Sequence, residues 1–208
     1  MRKISIKVCG LKDPSNVAQV ACLEPDYMGF ILSARSPRYV SLEDAINLVR
    51  HIPGSISTVG VLVNEPIENA LEIAGSGAFN FLQLHGDESV EYCEKLNHHI
   101  DVIKVFSISG SLPEVIKNYQ PFCRMFLFDT AGVLYGGNGN KFDHRALADY
   151  SLDKDFILSG GISPEDPSYI KSIGIPSMTG VDLNSRFEMK PGIKDIDLLK
   201  KFIDNIRA

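Results

Sequence analysis

The segment Lys3-Ile4-Ser5-Ile6-Lys7-Val8-Cys9-Gly10 decides how this chain is read. It alternates polar and apolar residues, then stops at a glycine and the turn-like Asp13-Pro14. Alternation with a period of two marks a β-strand, and Gly and Pro mark its exit into a loop. Cys9 therefore falls at the carboxyl end of the first strand. Far downstream, Arg124-Met125-Phe126-Leu127-Phe128-Asp129-Thr130 repeats the pattern with a carboxylate at the strand's end. In a βα-repeat protein these strand ends carry the chemistry. A thiol and an acid on one rim make a base–acid pair.

Working outward, strand-like and amphipathic segments alternate from end to end. Strands are expected at 4–8, 27–32, 58–63, 79–84, 101–106, 124–129, 155–158 and 178–183. Helices are expected at 14–22, 41–51, 66–75, 88–97, 112–119, 143–149, 164–172 and 194–206. Ser41-Leu42-Glu43-Asp44, Asn64-Glu65-Pro66 and Ser163-Pro164-Glu165-Asp166 read as helix starts. Eight βα units predict a parallel eight-stranded (β/α)8 TIM barrel, small for that fold, as a single domain over 1–208. A doubly wound open sheet is the competing topology. Gly10-Leu11-Lys12-Asp13-Pro14, however, is not the glycine-rich phosphate turn that fold usually carries.

Composition narrows the function. A net charge of -5 argues against a nucleic-acid binder but leaves room for a locally positive site. No apolar run approaches the roughly 20 residues of a membrane-spanning helix. The immediate entry into a strand-like segment predicts no signal peptide and a cytoplasmic protein. Monomer and homodimer are both left open by the sequence. Cys9, Cys22, Cys93 and Cys123 form no CxxC pair and no zinc-finger spacing with histidine. Cys22 and Cys93 read as small core residues on helices. His51, His85, His98, His99 and His144 suggest no metal site, and His98-His99 reads as solvated.

Ser159-Gly160-Gly161-Ile162-Ser163-Pro164 follows the seventh strand, and Gly180-Val181-Asp182-Leu183-Asn184-Ser185-Arg186-Phe187-Glu188 spans the eighth and its loop. Glycines let the backbone approach a ligand, and free N–H groups at a helix start favour an anion. In barrels, phosphate commonly sits between these two loops. Two ordinary structural turns are the plain alternative.

These motifs carry a resemblance. Lys7-Val8-Cys9-Gly10, Ser36-Pro37-Arg38-Tyr39-Val40-Ser41, Gly60-Val61-Leu62-Val63-Asn64 and Leu82-Gln83-Leu84-His85-Gly86 are followed by Phe128-Asp129-Thr130 and Gly136-Gly137-Asn138-Gly139. Phe142-Asp143, Leu158-Ser159-Gly160-Gly161 and Gly180-Val181-Asp182 complete the series. In this order, through nearly the whole chain, they resemble the phosphoribosylanthranilate isomerases of tryptophan biosynthesis. The resemblance implies a barrel that converts N-(5-phosphoribosyl)anthranilate into 1-(2-carboxyphenylamino)-1-deoxyribulose 5-phosphate by a cofactor-free Amadori rearrangement. Asp129 matches the family's general acid and Cys9 its general base. Arg38 matches an arginine suited to the anthranilate carboxylate. Gly160, Gly161, Asp182, Asn184 and Ser185 are the further substrate-binding candidates, and no metal is implied.

Chemistry agrees with these roles. Opening a furanose ring needs a proton donor, and deprotonating carbon needs a base. A free thiol, with a pKa of about 8.5, is only roughly 3% thiolate at pH 7. A free aspartate, at about 3.9, has already lost its proton. The thiol gains from a nearby cation, and the acid needs burial or an anionic neighbour. Strand parity places Lys7 on the face of Cys9, about 7 Å away. There its ammonium favours the thiolate unless Asp182, beside it across the barrel's closure, occupies it. Gln83 and His85 share a strand face, where His85 either reaches the rim or steadies its loop. Tyr135-Gly136-Gly137-Asn138-Gly139 reads as a flap or a solvated turn. The chain departs from the family with His144 in place of a frequent Trp. It also has Arg186 in place of a glycine near the phosphate loops, which adds a charge there. A metal-assisted phosphosugar epimerase and a non-catalytic phosphosugar-binding barrel are the rivals. The latter would need neither Cys9 nor Asp129.

Overall fold

Eight parallel strands pair in chain order and close on themselves as β1-β2-β3-β4-β5-β6-β7-β8. The computed structural model describes residues 3–108, 111–130, 147 and 150–208. The strands are β1 (Ser5–Cys9), β2 (Tyr27–Ile31), β3 (Ser57–Leu62), β4 (Phe81–Leu84), β5 (Asp101–Ile108), β6 (Met125–Thr130), β7 (Phe156–Leu158) and β8 (Met178–Leu183). Around them lie α1 (Pro14–Ala21), α2 (Leu42–Val49), α3 (Ile67–Gly75), α4 (Val90–Asn97), α5 (Ile116–Tyr119), α6 (Pro167–Ser172) and α7 (Ile196–Arg207). This is the (β/α)8 barrel, and the open-sheet alternative is excluded by β1 pairing with both β2 and β8. The expected helix over 143–149, apart from Leu147, and the glycine-rich stretch 135–139 lie outside the described residues.

The period of two sorts every strand into two cores. Cys9, Val59, Val61, Ile103, Val105, Met125, Leu127 and Ile157 fill the barrel's interior. The alternate positions, among them Ile6, Val8, Phe30, Leu82, Phe126 and Phe128, face the helices and form the larger cluster. On that outer side Phe106 meets Phe126 edge-on at 5.2 Å, and Phe128 meets Phe156 at 4.8 Å. Such ring pairs add about 0.5–1.5 kcal/mol each beyond area burial.

Helix starts follow their caps only in part. Ser41 accepts from the backbone N–H three residues on, as its sequence predicts, and Asp13, read only as part of a turn, caps α1 in the same way. Asn64 does not cap α3. It adopts a left-handed φ of 52°, and its side chain accepts from the Asp87 N–H, tying the β3 loop to the β4 loop. Ser163 likewise does not open a helix. Its N–H and hydroxyl both donate to Asp166, and α6 begins only at Pro167. α5 is a single turn, shorter than the expected 112–119, and passes directly into a 3-10 turn over Gln120–Phe122. Cys22 corrects its sequence reading. It lies at the C-cap of α1 and is exposed, while Val17, Val20 and Ala21 take the core side. Cys93 and Cys123 are buried. An unanticipated antiparallel hairpin, β9 (Glu188–Lys190) with β10 (Ile193–Lys194), precedes α7.

One buried ion pair fixes the β4 loop. Glu88 accepts from Lys104 at 3.0 Å, from the Asn64 N–H at 2.9 Å and from the Gly86 N–H at 3.0 Å. Lys104 also donates to the Gly86 carbonyl at 2.7 Å. Removing one charge of a buried pair strands the other at a cost of about 3–5 kcal/mol. Glu88→Gln is therefore expected to lower unfolding free energy by about that amount in a denaturant titration. A loss below about 1 kcal/mol, the scale of an exposed pair, would show that the pair does not hold the loop.

Candidate active site

Cys9 ends β1 with its side chain on the interior face, and Asp129 occupies the equivalent parity in β6 beside Leu127. Both belong to the C-terminal rim. Cys9 pairs in register with Gly29, and a Cβ at Gly29 would stand 2.8 Å from the Cys9 sulfur. The thiol therefore fills the space that any larger residue at 29 would occupy.

Beneath the thiol lies the expected ion pair. Lys7 is fully buried and donates to Asp182 Oδ1 at 2.9 Å across the β1–β8 seam. Ser159 Oγ, at the end of β7, lies 3.5 Å from the other carboxylate oxygen. Burial pushes the Cys9 thiol above its ordinary value, and Asp182 adds to that. Lys7 pulls it down through charge and a hydrogen bond, and Lys194 also pulls it down, but burial wins. Burial opposes the Lys7 ammonium, while Asp182 and Cys9 together raise its pKa. Lys7 thus acts on Cys9 in the direction that its parity predicts, without overcoming the loss of water.

Arg38, in the loop after β2, stands over this pair but is not free. Its Nε donates to Glu188 Oε1 at 2.8 Å and its Nη2 to Oε2 at 2.6 Å. Glu188 also accepts from Lys194 Nζ at 2.9 Å, and Lys194 donates to Asn184 Oδ1 at 2.8 Å. Burial works against the Glu188 carboxylate, yet Arg38 and Lys194 hold its pKa below the usual range. The hydrogen bond to Glu188 raises the pKa of Arg38. Asp182 and Asn184, expected to face substrate, thus direct one oxygen each to a lysine.

Across the mouth, His85 Nε2 lies 3.4 Å from Asp129 Oδ2, and Gln83 Nε2 lies 3.4 Å from His85 Nδ1. The side chains of His85 and Asp129 are partly exposed. Of the two sequence readings of His85, the rim position is the one adopted.

Gly160 and Gly161 follow β7 with φ values of 85° and 67°, a region that favours glycine. After β8, Ser185–Phe187 makes one turn of 3-10 helix, with Ser185 and Arg186 exposed. The backbone N–H groups of Gly160, Gly161, Ser185 and Arg186 bond to no other described residue. Among the described residues these donors on the β7–β8 side of the rim are without an acceptor, which suits the two loops to an anion.

Glu188 and Lys194 escaped the sequence reading. Both lie on the unanticipated hairpin, and Glu188 is 150 positions from the arginine it holds. A glutamate ending the strand-eight loop was the one available signal. Among the described residues, no group of three or more His, Cys, Asp or Glu is placed to hold a metal, and no helix is long and apolar enough to cross a membrane. His98 and His99 are exposed just beyond α4, while His144 lies outside the described residues.

Comparison with known proteins identifies the family. Residues 6–205 match the family model of N-(5'-phosphoribosyl)anthranilate (PRA) isomerase. The N-(5'-phosphoribosyl)anthranilate isomerase of Parabacteroides distasonis is 41% identical over 97% of this chain and 92% of its own length. The crystal structure of phosphoribosyl anthranilate isomerase from Thermotoga maritima superposes with a TM-score of 0.87 at 34% identity, covering 98% of both chains. A phosphoribosyl anthranilate isomerase in complex with reduced 1-(o-carboxyphenylamino)-1-deoxyribulose 5-phosphate gives a TM-score of 0.81 at 32% identity, again over 98% of both chains. By sequence over its whole length and by the closure of its barrel, the chain belongs to the N-(5'-phosphoribosyl)anthranilate isomerase family.

Proposed function

We propose that this isomerase converts N-(5-phosphoribosyl)anthranilate into 1-(2-carboxyphenylamino)-1-deoxyribulose 5-phosphate, with Asp129 as general acid and Cys9 as general base. The observation that carries the reading is a thiol and a carboxylate on the inner face of one rim, at the ends of β1 and β6. Asp129 gives its proton to the furanose ring oxygen as the bond from that oxygen to C1 breaks. The amine lone pair forms the C1=N bond, giving a Schiff base. Cys9, as thiolate, takes the proton from C2, and the electrons of that bond move to make the enolamine. Tautomerisation then gives the ketone. Atoms and electrons balance within the sugar and these two groups.

The supporting residues divide by charge. The Gly160 and Gly161 loop and the Ser185 turn take the phosphate, with Arg186 beside them. Arg38 takes the anthranilate carboxylate, and Asp182 and Asn184 complete the wall next to Cys9. The same reading places the enzyme at the third step of tryptophan synthesis from chorismate, in the cytoplasm, as one domain over 1–208, monomeric or homodimeric. A binding barrel would require neither reacting group.

Turnover is followed as a fall in anthranilate fluorescence when the freshly made phosphoribosyl adduct is consumed. Cys9→Ala and Asp129→Asn are each expected to lower kcat by about 10²–10⁴-fold with the fold intact. A near-normal rate in either variant removes that residue from its role.

The pH dependence has a definite sign. The base must be deprotonated, and burial holds the Cys9 thiol above its ordinary value, so kcat/KM rises with pH on the limb that reports Cys9. Lys7→Met removes a cation that lowers this value and leaves Asp182, which raises it. The limb is expected to move to higher pH, in step with the ultraviolet absorbance of the thiolate. An unmoved limb would show that Lys7 does not tune Cys9.

A further inference from the structure

The arginine over the mouth belongs to a charged clasp that the barrel strands do not provide. A guanidinium has five N–H donors in a fixed fork. Arg38 uses Nε and Nη2 on Glu188, and its Nη1 edge has no partner among the described residues. Glu188 is held in turn by Lys194 and by the Gly192 N–H at 3.1 Å. The Lys194 side chain is fully buried, with its ammonium between Glu188 and Asn184. The clasp lies directly on the residue after Cys9. A Cβ at Gly10 would stand 2.6 Å from Arg38 Cδ and 2.9 Å from Asn184 Oδ1.

Charge counting gives the clasp its meaning. Arg38 and Lys194 are two cations, and Glu188 is the single anion between them. Lys7 and Asp182 below form a separate neutral pair. Within the clasp one positive charge is therefore left over, on the side of Cys9. With Glu188 alone, the arginine would present a neutralised face, because a second carboxylate approaching its free edge would meet Glu188 through the same guanidinium. Lys194 offsets that repulsion. Burial, aided by the Arg38 charge, leaves the pKa of Lys194 below its ordinary value although Glu188 and Cys9 pull it up, and its two short bonds, to Glu188 at 2.9 Å and to Asn184 at 2.8 Å, suit the charged form.

We infer that Glu188 and Lys194, on the β9–β10 hairpin, are positioning residues that aim Arg38 and leave it one uncompensated positive charge for a single carboxylate on the substrate's aromatic amine. This rests on the substrate proposed above. It assigns selectivity for a carboxylate-bearing amine to the hairpin as well as to the rim.

The experiment compares two ligands on the full chain. One is N-(5-phosphoribosyl)anthranilate, and the other is N-(5-phosphoribosyl)aniline, which lacks the carboxylate and is measured by its Ki as a competitor. A charge-assisted contact of about 1.5–3 kcal/mol corresponds to roughly 10- to 150-fold in binding. Lys194→Met is expected to raise KM for the anthranilate substrate by about that factor, with a smaller change in kcat and little change in Ki for the aniline. The double variant Lys194→Met/Glu188→Gln restores one net positive charge and is expected to recover part of the lost KM. It also serves if the single variant does not fold, since it should then retain much of the wild-type preference for the carboxylate. An equal penalty on both ligands, or a double variant at least as impaired as the single, overturns the inference and leaves the lysine a structural role. If the unaltered chain turns over no anthranilate substrate, the proposed function fails instead.

Discussion

The Lys7 ammonium is fully buried, and among the described residues the carboxylate it reaches is Asp182, on the last barrel strand. A buried charge without its partner is strongly destabilising. Closing β1 against β8 in the register Lys7↔Asp182 is what supplies the partner. A slip by one residue would turn the lysine towards the helices and the carboxylate away from it. The ion pair therefore ties the shape of the barrel to the arrangement of its mouth. Cys9 stands two residues above Lys7, and the Asn184 loop begins two residues beyond Asp182.

The same pair explains a tension at the thiol. Burial favours neutral Cys9, and the nearest cation is already engaged with Asp182. Lys194 adds a second pull on the thiolate from a different element. Burial is the largest influence, and the charges that oppose or aid it come from β1, β8 and the hairpin. A site built this way responds to charges several residues removed from the reacting atom.

Much of this was legible in the sequence because the signals are periodic. Alternation in β1 gives that strand and the inner face of Cys9 and Lys7, the apolar run of β6 ends at Asp129, and turn residues give the strand ends. Parity alone foresaw the Lys7–Asp182 pair, since barrel closure makes the first and last strands neighbours. Local signals competed elsewhere. Ser163 and Asn64 resemble caps, but each found a better partner in a folded loop, Asp166 for one and the Asp87 N–H for the other. Cys22 sat on the helical pattern but one residue past the helix, where the core face ends. The Arg38–Glu188–Lys194 clasp left no periodic trace. It joins residues far apart in the chain through a short hairpin, and only three-dimensional proximity shows that the arginine is shared.

The buried lysine at the seam also bears on how such a chain can be divided. A fragment made of the first four strands would carry Lys7 and Arg38 with neither Asp182 nor Glu188, leaving two cations without their partners. The complementary fragment would hold two carboxylates in the same condition, with Lys194 as the one remaining cation of the group. Each half thus carries an excess of charge opposite in sign to the other at the same edge. Joining the halves is what gives each of these groups its partner, so the charges that arrange the mouth also make the two ends of one polypeptide depend on each other for folding.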